Sequence, residues 1–154
     1  MSTVPLDRQR LERYDASTRV YTLAIITDED QDSQVALEDG QTAWQSRIRY
    51  DRLYRYEDPV TGSVTFDFDE IPAAEGGEHQ LISLVAEGGR GAEFSELVQF
   101  GQRLVAFDDR TGLVCEVRDG HNLIPRQILM TGSGDERFKG FKSEWATLQG
   151  DTLV

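Results

Sequence analysis

Apolar and polar positions along this chain alternate in short runs separated by turn residues, the pattern of β-strands joined by tight connections. Arg19 to Thr27, RVYTLAIIT, is the first such run, and its β-branched and aliphatic content predicts a buried strand. Trp44 to Tyr56 and Val64 to Phe68 flank Asp58-Pro59-Val60-Thr61-Gly62 and predict a hairpin with Phe66 and Phe68 on one face and Asp67 and Asp69 on the other. Leu81 to Ala86 reads as a short strand, followed by a flexible glycine loop at residues 88–91. Leu97–Phe100, Arg103–Asp108 and Leu113–Val117 then form an antiparallel meander, with one more strand around Gln127–Met130. Ahead of all this, residues 1–18 are polar and charged and read as a flexible leader, leaving residues 19–154 as the folded part.

The strand and turn pattern repeats. Ser95-Glu96-Leu97, then Gly101, then Leu104 is echoed by Ser143-Glu144-Trp145, Gly150 and Leu153, at an offset of 48 residues for the serines. Asp58, Thr61 and Gly62 anticipate Asp108, Thr111 and Gly112 at an offset of 50. A period near 50 built from strands and tight turns matches the blade of a β-propeller, whose faces are buried only by stacking on neighbours. Chance similarity between two hairpins is the competing explanation.

Charge narrows the partners. With 28 acidic against 16 basic residues the net charge is −12, which disfavours nucleic acid and anionic membranes. A nucleotide site on such a surface needs a metal ion or a local cluster of cations to reverse the field. One cysteine, Cys115, excludes an intramolecular disulfide and a CxxC metal site. No apolar run has the length of a signal peptide core or a membrane span, so neither membrane insertion nor a secretory route is expected from the chain as written.

The acidic run Asp28-Glu29-Asp30-Gln31-Asp32 follows a strand and has Ser33 and Asp39 where an EF-hand loop has glycine and glutamate, so it reads as an acidic turn at a strand end. The two histidines, His79 and His121, read as exposed loop residues, and no Ser-His-Asp arrangement is evident. Gly88-Gly89-Arg90-Gly91 lacks the spacing of a Walker loop and leaves an arginine on a loop that can approach a ligand. If the repeats are blades, Ser95-Glu96 and Ser143-Glu144 converge on the central channel as oxygen donors, which suit Ca²⁺.

Three motifs in order carry a family resemblance: EGGRG with Glu93 to Leu97, then Asp108-Asp109-Arg110-Thr111-Gly112, then Lys139-Gly140-Phe141-Lys142-Ser143-Glu144-Trp145. Together they resemble the calcium-dependent apyrases, the soluble calcium-activated nucleotidases, from about Val20 to Val154 and least between Arg47 and Gln80. The resemblance implies a five-bladed, all-β propeller of which this chain is about the first half, truncated at its C-terminus, with open edges that invite self-association; the 154 residues alone are expected to be inactive. It implies hydrolysis of terminal phosphates of nucleotides such as GDP or UDP, with Ca²⁺ as cofactor, in the endoplasmic reticulum, Golgi or outside the cell. Asp28 and Asp30 match a phosphate-facing Asp-x-Asp, and Asp28 and Asp109 are the catalytic candidates; Arg90, Arg110 and Lys142 supply the cations that bind and neutralise the substrate's phosphate; Ser95 and Glu144 match metal ligands, with Glu96 assisting. Ser33, Trp44 and Ser46 match further along. The alternative is a non-catalytic propeller fragment that binds a partner.

Overall fold

The computed structural model describes residues 18–131 and 139–154. All of the leader except Thr18, and most of the polar stretch between Thr131 and Lys139, lie outside them. The described residues are all β with antiparallel pairing, interrupted only by single 3-10 turns at Asp30–Ser33 and Ala73–Glu75. None of them forms a helix long and apolar enough to cross a membrane.

The chain divides into two compact units, Met1–Ala24 with Arg49–Glu78, and Ile25–Ile48 with His79–Val154. In the first unit the hairpin is as expected: β3 (Thr42–Glu57) pairs with β4 (Val64–Asp69), Leu53 opposite Phe68 and Arg55 opposite Phe66. Tyr54 and Asp51 are the buried residues of β3 in this unit. Asp51, almost fully buried, accepts from Arg49 Nε at 2.8 Å and from the Ile71 amide at 3.0 Å. Burial works to raise its pKa, but those two bonds outweigh it and hold the carboxyl below its usual range. Phe66 and Phe68 face solvent, 63% and 45% exposed. The strand β1 (Arg19–Ile26) forms where its composition predicts, yet it is not buried: Val20, Tyr21 and Ile25 are all exposed. Branched and aromatic side chains mark a fit to pleated backbone, and here that propensity comes without a covering layer.

The second unit holds β2 (Gln34–Ala36), β5 from His79 onward (Glu78–Ser83) and a four-stranded meander, β6 (Phe94–Phe100), β7 (Arg103–Asp108), β8 (Leu113–Arg118) and β9 (Asn122–Ile128). Alternation is lost in the two central strands, because β7 is buried from Val105 to Asp108 and β8 buries Leu113, Cys115, Glu116 and Val117; such strands are covered on both faces. Val98, Val105 and Phe107 form the apolar centre, with Phe100, Val114, Ala146 and Leu153 packed against them. The fourth strand starts five residues earlier than the Gln127–Met130 run suggests, since Pro125 argues against a strand interior. Here β9 is an edge strand and its register shifts opposite Val114 and Cys115, which accommodates the proline.

Three two-strand pairings complete the chain: β10 (Met130–Thr131) with β11 (Lys139–Gly140), and β12 (Leu148–Gln149) with β13 (Thr152–Leu153), besides β2 with the start of β3. The β12–β13 corner repeats the β6–β7 corner. In each, a two-residue turn opens with a glycine at positive φ, Gly150 at 61° and Gly101 at 60°. Among the described residues no strand pairing closes a sheet into a ring.

Candidate active site

The two aspartate turns that echo each other in sequence are the same structure. In the first, Asp58 Oδ1 accepts from the amides of Val60 and Thr61 at 2.8 and 2.9 Å, and the Gly62 amide donates back to the Asp58 carbonyl at 2.8 Å. In the second, Asp108 Oδ1 accepts from Arg110 and Thr111 at 2.9 and 3.1 Å, and Gly112 donates to the Asp108 carbonyl at 3.1 Å. Both are aspartate-anchored turns ending in a left-handed glycine. They differ in surroundings. Pro59 to Ser63 are exposed, whereas Asp108 is fully buried and its second oxygen accepts from the Ala92 amide at 3.0 Å. The second turn is thereby fixed, with Asp109 and Arg110 at its tip.

Glycine sets the next piece. Glu87-Gly88-Gly89-Arg90 is not an open flexible loop but a two-residue β-turn, closed by Glu87 N to Arg90 O at 2.8 Å and Arg90 N to Glu87 O at 3.2 Å. Both central residues have positive φ, which Gly-Gly allows without strain. Glu87 then pairs through its carboxylate with Arg110 at 2.5 Å, and its carbonyl accepts from Arg110 Nε at 3.2 Å. Trp44 Nε1 donates to the Gly89 carbonyl at 3.1 Å, which ties the turn tip to β3.

Asp28, Asp30, Arg90, Glu93, Asp109, Arg110 and Lys142 line one cleft of about 250 Å³, all within the second unit. Six of these seven are the residues singled out in sequence for catalysis and substrate binding. Arg90 is gripped by Glu93 through two parallel bonds of 2.7 Å, a bidentate fork, and it also contacts Asp30. Lys142 Nζ lies 3.0 Å from Asp109 Oδ2 and also pairs with Glu144, and these acids raise its pKa, Glu144 first. Asp28 sits with Oδ2 3.5 Å from Ser95 Oγ; burial raises its pKa, against opposing help from Ser95 and Arg90. Ser46 donates to the Thr27 carbonyl and so fixes the strand end that carries Asp28. Three cations gather in the cleft, but four carboxylates accompany them, so the cations do not by themselves reverse the acidic field.

Glu93 was not visible as a site residue in the sequence. It is one acid in an acid-rich chain, and only its burial, 4% exposed, beside an arginine three residues away distinguishes it. The metal candidates are less gathered. Ser95, Glu96 and Glu144 are oxygen donors, the chemistry Ca²⁺ takes. Glu96, however, accepts from its neighbour Leu97 at 2.8 Å with one oxygen and from the Ala146 amide at 3.2 Å with the other, and Glu144 is engaged by Lys142. No group of three or more acids, histidines or cysteines able to hold an ion occurs among the described residues. The two histidines, expected as separate loop residues, stack on each other with ring centroids 5.0 Å apart.

A buried aspartate turn, an arginine hairpin and a lysine thus meet in one cleft of an all-β chain. Residues 29–154 match the family model described as Apyrase, and the chain belongs to the apyrase family. It is 33% identical over 138 residues to an apyrase of Phlebotomus duboscqi, covering 90% of this chain and 37% of that protein. Similarity to an apyrase of Cimex lectularius is 36% over 133 residues, 86% of this chain and 34% of the relative. Soluble calcium-activated nucleotidase 1 of Mus musculus is 33% identical over 133 residues, with coverages of 86% and 30%. The chain thus spans about a third of the length of the curated relatives it matches.

Proposed function

We propose that this chain carries the phosphate-binding side of a Ca²⁺-dependent hydrolase that removes terminal phosphates from nucleoside di- and triphosphates. What supports this most is the convergence of Arg90, Arg110 and Lys142 with Asp28 and Asp109 in one cleft of a strongly acidic chain. In this reading the three cations bind the phosphate oxygens and neutralise charge that builds on the bridging oxygen as the terminal P–O bond breaks. Asp28 accepts the proton of the attacking water, a role suited to a carboxylate whose proton affinity burial has increased. Asp109, held by Lys142, orients that water or the phosphate.

Calcium enters on two grounds. One is the name of the mouse relative, a calcium-activated nucleotidase. The other is charge: four carboxylates line the cleft against three cations, so an anion gains from a divalent ion arriving with it. Ser95, Glu96 and Glu144 are the proposed oxygen donors, and Glu96 would exchange its two amide bonds to serve. We also assign the four-stranded meander, with its repeat near 50 residues, to a blade of a β-propeller.

Phosphate release from GDP and UDP by the full-length protein, titrated with Ca²⁺, tests the proposal. Glu144→Ala is expected to raise the Ca²⁺ midpoint, and Asp109→Asn to lower turnover at an unchanged midpoint. Turnover indifferent to Ca²⁺ refutes the cofactor, and no turnover with any nucleotide leaves the chain as a non-catalytic binding module.

A further inference from the structure

Arg90 faces two carboxylates of opposite character. Glu93, nearly completely buried, holds it through the 2.7 Å fork, whereas Asp30 contacts Nη2 from the solvent side with 64% of its side chain exposed. Asp30 stands on a loop residue with φ of 47°, its amide bonded to Asp28 Oδ1 at 2.8 Å. Separating a buried ion pair leaves an uncompensated charge in low dielectric, while an exposed carboxylate is solvated as soon as it leaves. Any anion that approaches Arg90 therefore displaces Asp30 and not Glu93.

We propose that Glu93 is the positioning residue that aims the Arg90 guanidinium into the cleft, and that Asp30 is an internal competitor holding the phosphate-facing edge of Arg90 until a substrate phosphate replaces it. The proposal rests on the phosphate-hydrolysis reading above and gives Asp30 a role opposite in sign to that of a substrate ligand. It makes a specific chemical distinction: the cleft admits anions strong enough to outcompete a carboxylate, which favours the multiply charged terminal phosphate of a nucleotide over a monoanion. It also accounts for a cleft that contains more acid than base and yet is assigned to bind an anion.

The experiment uses inorganic pyrophosphate binding by calorimetry with the full chain, alongside nucleotide hydrolysis. Removing an exposed competitor worth at most an ordinary surface ion pair tightens binding by up to about fivefold, so Asp30→Asn is expected to lower the pyrophosphate Kd by roughly that factor. Weaker binding in Asp30→Asn overturns the competitor role, and so does an unchanged Kd. Glu93→Gln is expected to weaken pyrophosphate binding in the native background and to have no further effect in Arg90→Ala, since it acts through Arg90. An equal loss in both backgrounds overturns the positioning role; Glu93→Asp, which keeps the charge, separates loss of aim from loss of fold, with circular dichroism as the check. If the native chain neither binds pyrophosphate nor releases phosphate from nucleotides, the functional reading itself fails, a result distinct from failure of the competitor.

Discussion

Asp108 and Asp58 anchor identical turns, one buried and one in solvent, so the pair is its own controlled experiment. Replacing Asp108 by alanine strands three N–H groups, those of Ala92, Arg110 and Thr111. Each buried donor left without a partner costs about 1–3 kcal/mol. The Ala92 and Thr111 donors are buried and the Arg110 donor is half-buried, and relaxation and water entry soften the sum, so the expected loss is about 3 kcal/mol, a large share of the roughly 5–15 kcal/mol that holds a domain together. Asp58→Ala removes two like bonds at a turn whose donors water can reach at once, and the loss there is expected to be much smaller. Urea denaturation of both variants, with amide exchange at Gly112 and Gly62 as local probes, measures the difference. Asp108→Asn keeps one oxygen for the Arg110 and Thr111 amides but turns its NH2 group toward the Ala92 amide, so it is expected to recover only part of the stability. Equal losses for Asp108→Ala and Asp58→Ala would refute the argument that burial, and not turn geometry, makes the second turn rigid.

Other outcomes follow from the same structure. Burial raises the pKa of Asp28 above its ordinary 3.8, so its carboxylate is lost to protonation at a higher pH than usual; the acid limb of kcat/KM is expected to lie above that value and to vanish from the residual activity of Asp28→Asn. Asp58 is shifted the other way, held down by the Thr61 and then the Val60 amide; its contribution to stability is present above 3.8 and disappears as pH falls through its lower folded value, which a pH series of urea midpoints with Asp58→Asn as reference reads out. Cys115 is fully buried and its thiol is pushed up to about 12, first by burial and then by Asp108, so it is expected to resist thiol reagents at pH 8 until the chain unfolds. Trp145 is 70% exposed beside Phe141 and an apolar groove, and light scattering of Trp145→Ser against the native chain is expected to show less self-association.

Most of the strands could be read from the chain because local pattern and fold agree, as in the β3–β4 hairpin and the β6–β7–β8 meander. The failures are physical. Burial of β1 was misjudged because strand propensity reports backbone fit, whereas covering a face needs a second layer. Pro125 hid the start of β9 because a proline counts against a strand until its edge position is known. For the site, Asp28, Asp109, Arg90, Arg110 and Lys142 could be named from motifs, but their meeting in one cleft depends on contacts between segments far apart in the chain. Glu93 and the histidine stack lie beyond local pattern for the same reason. Nothing in the sequence shows that Glu96 spends its carboxylate on the backbone of Leu97 and Ala146.

Glu87 has a consequence for the two arginines of the cleft. Its backbone closes the turn that carries Arg90, and its carboxylate and carbonyl hold Arg110, so two arginines twenty positions apart in the chain hang from a single residue. Glu93 holds the Arg90 guanidinium itself, so Glu87 couples the pair without fixing its spacing: a change at the Gly88-Gly89 tip would shift the Arg90 backbone and the Arg110 side chain together.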